Sequence, residues 1–432
     1  MNDNDKIKLE ELEAKNWTRY HSFLVGVLSI NRFFNLFMIV FTGLSITQIA
    51  DAIGVEPTGM IFLFTFLNVG SVFTLFFRYI ADKIGRKPTF IFMHIGLMAS
   101  YGISALSTNI YFFILARFAA GFFTTNVNGL LIAEEFPASY RGRAAGLAEG
   151  IGMTSSILAS SLAIFLGNVN YWRIIIGVMG ILGGILGGFL GLFIKESRRY
   201  RYFLKSNNKK KKFKKRLTGV FNKKYLKYFI LSILLFVCIN GVYQTIKRYY
   251  PAFLIEERAS LGFNTEIIGL WSIVIYISSI FGYSLSGFFS DKIGRKKTIT
   301  ITGAFYLLGS LMVLLIYNVY WLFIGFLIIN FCFAIFINTA AVLTVEFFST
   351  EDRNIGSGWN TTFTNILAIL GNFGIYFVAD NNFLGFGWGN SFLIFGTIYT
   401  IGVIILPFFF METKNRVVEE IYQSEIDKEI GV

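Results

Sequence analysis

Apolar residues in this chain gather in long runs rather than in alternation or in narrow amphipathic stripes. The runs fall at about 22–49, 58–80, 89–107, 109–133, 144–167, 171–194, 226–250, 266–289, 298–317, 320–345, 354–379 and 388–410. At 1.5 Å per residue, each is long enough to cross about 30 Å of hydrocarbon as a helix. All five prolines (Pro57, Pro88, Pro137, Pro251, Pro407) lie near the ends of these runs, where helices tolerate them. Bends inside the runs are therefore expected mainly at glycines. The pattern predicts an all-α polytopic membrane protein with twelve transmembrane helices.

Composition narrows the class further. Of 432 residues, 54% are hydrophobic, 18% aromatic and 15% charged, against about 25% charged in an ordinary soluble domain. A water-soluble enzyme, a disordered chain and a fibrous repeat are excluded. The first run follows about 20 polar residues and exceeds the apolar stretch of a signal peptide, so it reads as a retained helix. Cys238 and Cys332 both sit inside apolar runs, which leaves no disulfide framework.

Lys and Arg set the expected orientation. With the N-terminus cytoplasmic, 33 of the 39 basic residues fall on the inner side, and only Arg173, Lys247, Arg248 and Arg258 lie at the outer face. Both termini are therefore expected inside a cell membrane. The segment from Lys195 to Lys227 holds fifteen basic residues against one acid, Glu196. A cytoplasmic linker lying on anionic lipid explains this better than a nucleic-acid patch. The expected organisation is a cytoplasmic tail over 1–20, a six-helix bundle over 21–194, the basic linker over 195–225, a second six-helix bundle over 226–410, and a cytoplasmic tail over 411–432.

The two bundles carry an internal repeat, which makes them pseudo-symmetric. Ala81-Asp82-Lys83-Ile84-Gly85-Arg86-Lys87 recurs as Ser290-Asp291-Lys292-Ile293-Gly294-Arg295-Lys296, and the pair Glu134 and Arg141 recurs as Glu346 and Arg353. A parallel repeat of six helices with a site near the midplane is a transporter architecture. Charges at the cytoplasmic edge can bridge neighbouring helices, and bridges that hold only while the inner mouth is closed bias a two-state equilibrium. Asp82, Gly85, Arg86, Lys87, Glu134 and Arg141, with Asp291, Gly294, Arg295, Lys296, Glu346 and Arg353, are the gating candidates. The plainer reading is that their basic members anchor orientation.

These loops resemble the signature of the major facilitator superfamily. Glu134-Glu135-Phe136-Pro137 with Arg141-Gly142, Glu196-Ser197-Arg198-Arg199-Tyr200 and Glu412-Thr413-Lys414 are similar to motifs of its sugar-porter and metabolite:proton symporter branch. The resemblance implies two bundles rocking about a central site in alternating access. It also implies a helix 4 arginine, here Arg117, paired with an aspartate of helix 1. This chain departs there: helix 1 offers Asn31, Arg32 and Asn35 but no acid.

The candidate site follows from polar groups within the apolar runs. Glu149 is the acid placed well inside a span and is a candidate proton carrier, sharing a face with Gly152, Ser156 and Ser160. The alternative is a structural partner for Arg141 or Arg143. Arg117, Gly121, Thr124 and Asn128 form a stripe on helix 4. An arginine keeps its proton, so Arg117 needs a carbonyl cage, water, Glu149 or an anionic substrate. Asn35, Arg117, Thr124 and Asn128 from one half, with Gln244, Asn338 and Asn365 from the other, are the candidate substrate-facing residues. Interhelical hydrogen bonding is the competing role for each. Gly180, Gly184 and Gly188, interleaved with Gly183, Gly187 and Gly191, suit close packing within one chain better than a dimer face, so a functional monomer is expected.

No phosphate-binding loop, metal-ligand cluster or other cofactor signature occurs, and the helix 5 proline pattern of drug:proton antiporters is missing. The expected activity is movement of a small polar organic solute, a sugar or an organic acid, by proton-coupled symport. A facilitative uniporter or an uncoupled organic-anion carrier is the alternative, with a drug antiporter or a non-transporting transceptor further behind.

Overall fold

The computed structural model describes residues 16–54, 60–124, 127–137, 140–166, 171–198, 200–201, 221, 223–247, 250, 253–254, 258–263, 265–348, 353–380 and 388–414. Its α-helices are α1 (Arg19–Leu44), α2 (Ile46–Ile53), α3 (Met60–Ser71), α4 (Thr74–Ile84), α5 (Arg86–Ser104), α6 (Ile110–Phe123), α7 (Val127–Glu135), α8 (Arg141–Leu166) and α9 (Trp172–Leu192). After the linker come α10 (Lys223–Val242), α11 (Thr265–Ile293), α12 (Arg295–Leu315), α13 (Val319–Glu346), α14 (Arg353–Asp380) and α15 (Trp388–Ile405). A π-turn over Tyr243–Lys247 ends α10, and short 3₁₀ turns cover Ala259–Leu261 and Leu406–Phe409. Among the described residues no strand occurs. Among the described residues seven segments are long and apolar enough to cross a membrane, one of them (Ile110–Ile132) running through α6 and α7, and three further apolar segments are shorter.

The helices fall on the twelve apolar runs, but three runs are each divided in two. Glycine supplies the bend in two of these, as expected, although hydroxyl side chains complete it. Gly70 in the last turn of α3 lies against Gly121 near the end of α6: a Cβ on Gly121 would stand 3.1 Å from Gly70 Cα and 2.8 Å from the Leu67 carbonyl carbon. At this crossing hydroxyl side chains add further bonds to the carbonyls. Ser71 Oγ donates to Leu67 O at 2.9 Å and Gly121 O at 3.3 Å, while Thr74 Oγ1 donates to Ser71 O at 2.6 Å and Thr124 O at 3.2 Å. Within hydrocarbon such added bonds are what make a broken helix tolerable.

The first half (α1–α9) packs around Phe37, Phe41, Met98, Tyr101, Phe113 and Trp172. The second half (α10–α15) packs around Leu235, Phe326, Phe333, Phe336 and Leu343. Apolar side chains on the far faces, such as Ile181, Ile185 and Phe189 of α9, stand exposed, as lipid-facing residues do. The expected glycine ridges of α9 are spent inside the half. Gly180 faces Gly102, Gly183 faces Met98 and Phe34, and Gly191 faces Ile91 and Phe90.

The halves meet along α8 and α11, and along α14 with α3 and α4. A Cβ on Gly287 of α11 would stand 2.7 Å from the Gly142 carbonyl carbon of α8, so this seam rests on two glycines. Met153, Tyr283 and Ala334 form a small apolar cluster across it. In the second seam Thr362 Oγ1 donates to Val72 O at 3.0 Å, and Arg78 Nη1 donates to Ser357 Oγ.

Candidate functional site

Beside the α8–α11 seam, two charged side chains face each other. Arg32 of α1 donates from Nε to Glu149 Oε2 of α8 at 2.6 Å, and their side chains remain 31% and 27% exposed. The arginine stem lies over Gly152, one helical turn beyond Glu149, where a Cβ would stand 2.6 Å from Arg32 Cγ. Tyr283 of α11 interacts electrostatically with both charges and with Tyr243. The acid of α8 is thus held by helix 1 and not by Arg141 or Arg143. Arg141 Nε donates to Phe136 O at 3.2 Å, and the Arg143 guanidinium sits over the Tyr140 ring.

Arg117 is the second arginine of this half, and it is 2% exposed. Its Nη2 donates to Thr42 Oγ1 at 2.9 Å, and its guanidinium lies 4.8 Å from the Phe113 ring centre and 5.1 Å from that of Tyr101. The cage is therefore aromatic, built from α1, α5 and α6. Cation–π contact offsets part of the cost of burying the charge.

The stripe from Arg117 to Asn128 does not continue along one helix, because the chain breaks at Thr124. Thr124 Oγ1 donates to Ala120 O at 2.8 Å and serves that break. Asn128 joins a directed chain instead. Gly183 O can only accept, so the His94 Nε2 that meets it at 2.9 Å carries the proton, and Nδ1 accepts from Asn31 Nδ2 at 2.6 Å. Asn31 Oδ1 then accepts from Asn128 Nδ2 at 3.3 Å. His94 sits two turns into α5 and is buried. A Cβ on Gly187 would run into its ring.

Asn35 is buried with Oδ1 unpartnered among the described residues. Asn338 of α13 donates to Ser286 Oγ of α11 at 2.6 Å, an interhelical bond. Asn365 is half-buried on α14. The side chains of Asp82, Gln244 and Arg353 lie outside the described residues, as do Arg199 and residues 202–220 of the basic linker.

At the cytoplasmic edge the repeated motifs form two copies of one arrangement. Arg86 meets Glu134 through Nε and Nη2, the closest approach being 2.9 Å, and its Nη1 donates to Ala81 O at 3.0 Å. In the second copy Arg295 Nη2 meets Glu346 at 3.4 Å and Asp291 at 3.2 Å, and its Nη1 donates to Ser290 O at 3.2 Å. Glu196 accepts from the Arg86 and Lys87 N–H groups at 2.8 and 3.3 Å. Glu412 does the same for Arg295 and Lys296 at 2.9 and 3.1 Å. Each carboxylate satisfies the free N–H groups at a helix start and meets the positive end of its dipole. Gly85 and Gly294 enter these helices at φ +113° and +108°. A Cβ on either would strike the capping glutamate, at 2.7 Å from Glu412 Oε2 in the second copy.

Glu135 lies next to the first arrangement and accepts the Arg198 N–H at 2.8 Å. Burial raises its carboxyl above the usual carboxylate range, and the bond from Arg198 partly offsets that. His21 of α1 completes the joint, its Nε2 donating to Glu135 O at 3.0 Å.

Sequence reasoning found both arginines and Glu149 but not their partners. Arg32 and Glu149 are 117 positions apart, and nothing local signals their approach. The missed members are Arg32 as the partner of Glu149, the Asn31–His94 link, and Tyr101 and Tyr283. A weak signal existed in Gly152, a small residue one turn from the intramembrane acid.

The sequence pattern of the Major Facilitator Superfamily matches residues 28–371 and 248–425. The sialic acid transporter NanX of Escherichia coli (strain K12) is 25% identical over 232 residues, covering 52% of this chain and 54% of that protein. The class H tetracycline resistance protein of Pasteurella multocida is 24% identical over 238 residues, covering 54% and 57%. The chain thus spans little more than half the length of these curated relatives. Among solved structures, that of the proton:xylose symporter XylE bound to 6-bromo-6-deoxy-D-glucose superposes with a TM-score of 0.76 at 16% identity. That likeness covers 94% of this chain and 99% of the other, and it is one of fold.

Proposed function

Because the chain belongs to the Major Facilitator Superfamily, we propose that it is a secondary transporter moving a small polar organic solute, a sugar or an organic acid, by alternating access. The observation that carries this reading is the Arg32–Glu149 pair, 31% and 27% exposed beside the α8–α11 seam. An ion pair inside hydrocarbon costs several kcal/mol and is kept where it serves a function. Here a proton on Glu149 releases Arg32 and changes the charge offered to a solute.

Proton-coupled symport follows from that exchange. With Glu149 ionised, Arg32 is held to α8. With Glu149 protonated, the guanidinium turns to the solute, and α1 loosens from α8. The inner seams at Gly142–Gly287 and Arg78–Ser357 must then part for release to the cytoplasm. The basic linker faces anionic lipid on the inner leaflet, and both termini lie on that side. The monomer is sufficient, since the α9 glycines are used within their own half.

Purified protein in liposomes provides the test. Wild type accumulates solute when a pH gradient is imposed. Glu149→Gln exchanges labelled for unlabelled solute but no longer accumulates it. Accumulation by Glu149→Gln that still follows the gradient would assign coupling to another group.

A further inference from the structure

Among the buried donors of the first half that meet no acceptor among the described residues are Arg117 Nε and Tyr101 Oη. Both side chains are at most 2% exposed. The Tyr101 and Phe113 rings offset part of the cost of burying the Arg117 charge, yet ring faces cannot accept an in-plane N–H. Thr42 takes Nη2 alone. A guanidinium keeps its proton at every ordinary pH, and an orphaned donor in a low-dielectric interior is costly.

The charge count near these donors is also unbalanced. The Tyr101 hydroxyl interacts electrostatically with Arg117, with Arg32 and with Tyr243 of the second half. Arg32 is answered by Glu149 at 2.6 Å. Arg117 makes no salt bridge with any carboxylate among the described residues. Two guanidinium groups against one carboxylate leave a surplus of one positive charge beside two unused donors.

We infer that Arg117 and Tyr101 form a binding site for a monoanionic group, the carboxylate of the transported solute. A carboxylate has two oxygens that can accept the Arg117 N–H and the Tyr101 O–H, and it cancels the surplus charge. A neutral sugar can accept the same bonds but leaves the charge unanswered. The assignment rests on the transporter reading for its use of the word solute; the anion site itself rests on the buried donors. It deepens that reading by choosing the acid over the sugar.

The test is thermal unfolding of the full chain in detergent. The probes are glucuronate against glucose, lactate against glycerol and benzoate against benzyl alcohol, with chloride at matched ionic strength. The expected result is that at least one carboxylate raises the melting point by several degrees and its uncharged counterpart does not, by mass action on the folded state. Arg117→Gln abolishes the shift. Tyr101→Phe melts as wild type does, since its hydroxyl has no bond in the protein to lose, yet it binds the carboxylate about five-fold more weakly. Should Arg117→Gln fail to fold, Tyr101→Phe alone decides. An equal shift with chloride assigns the site to a free inorganic anion and overturns the solute carboxylate. Silence from every carboxylate, or a shift that Arg117→Gln and Tyr101→Phe both retain, overturns the anion site. Transport is judged separately, by exchange in liposomes, and a solute exchanged without any anion preference would leave the transporter reading intact.

Discussion

Gly152 of α8 makes room for Arg32 of α1: a Cβ there would stand 2.6 Å from Arg32 Cγ and 2.8 Å from its Cβ. The helix itself would welcome alanine, by about 1 kcal/mol. Crowding of the α1 backbone removes that gain. Gly152→Ala is expected to displace the Arg32 guanidinium from Glu149, lower gradient-driven uptake at least ten-fold and flatten its pH profile. An unchanged pH profile in liposome uptake would mean that Arg32 reaches Glu149 by another rotamer.

The two copies of the cytoplasmic charge motif are not equally tight. Arg86 grips Glu134 through two nitrogens at a site where both side chains are nearly buried, whereas Glu346 is 23% exposed and 3.4 Å from Arg295. Glu134→Gln should therefore destabilise the protein by about 3 kcal/mol and Glu346→Gln by about 1 kcal/mol. Denaturant titration of both variants side by side reads the difference, and equal losses would contradict the ranking.

Glu135 predicts a pH dependence with a definite sign. Its carboxyl is raised in the folded protein by burial, so the folded state binds the proton more tightly than the unfolded chain. Stability then falls as pH rises from the ordinary carboxylate range through the raised value, and levels off above it. Melting curves across mildly acidic pH should show this slope in wild type, and Glu135→Gln should remove it. A slope of the opposite sign would mean that the bond from Arg198 outweighs burial.

Gly85 and Gly294 hold a backbone conformation that an L side chain reaches only with strain, and each faces a glutamate. Alanine at either position should cost about 1–3 kcal/mol. Combining Gly85→Ala with Glu196→Ala should recover part of the loss, because the collision is then gone while the strain remains. Unfolding measurements on the single and double variants check the coupling.

The helices were legible because length and apolarity alone decide which segments can cross hydrocarbon. The repeat was legible because Asp291, Gly294 and Arg295 copy Asp82, Gly85 and Arg86 in both type and spacing. Glu134 was legible as a bridging acid but not as the partner of Arg86, since the nearer Arg141 satisfied the same reasoning. The break at Thr124 was hidden for a related reason. Gly70 and Gly121 are ordinary glycines in sequence, and their effect arises when two helices cross at that level. Arg117 was recognisable as a charge needing an answer, whereas its cage of Tyr101 and Phe113 was lost among 71 Phe and Tyr residues.

The glutamates after the sixth and twelfth apolar runs have a practical consequence for dissection. Glu196 fastens the start of α5, and Glu412 fastens the start of α12, so each bundle is tied by a residue from its own trailing end. Splitting the gene between codons 202 and 220 leaves both ties within their fragments, and the co-expressed pieces should reassemble into a working carrier. Cutting a few residues earlier, before Glu196, would hand the first tie to the wrong fragment, and complementation should fail.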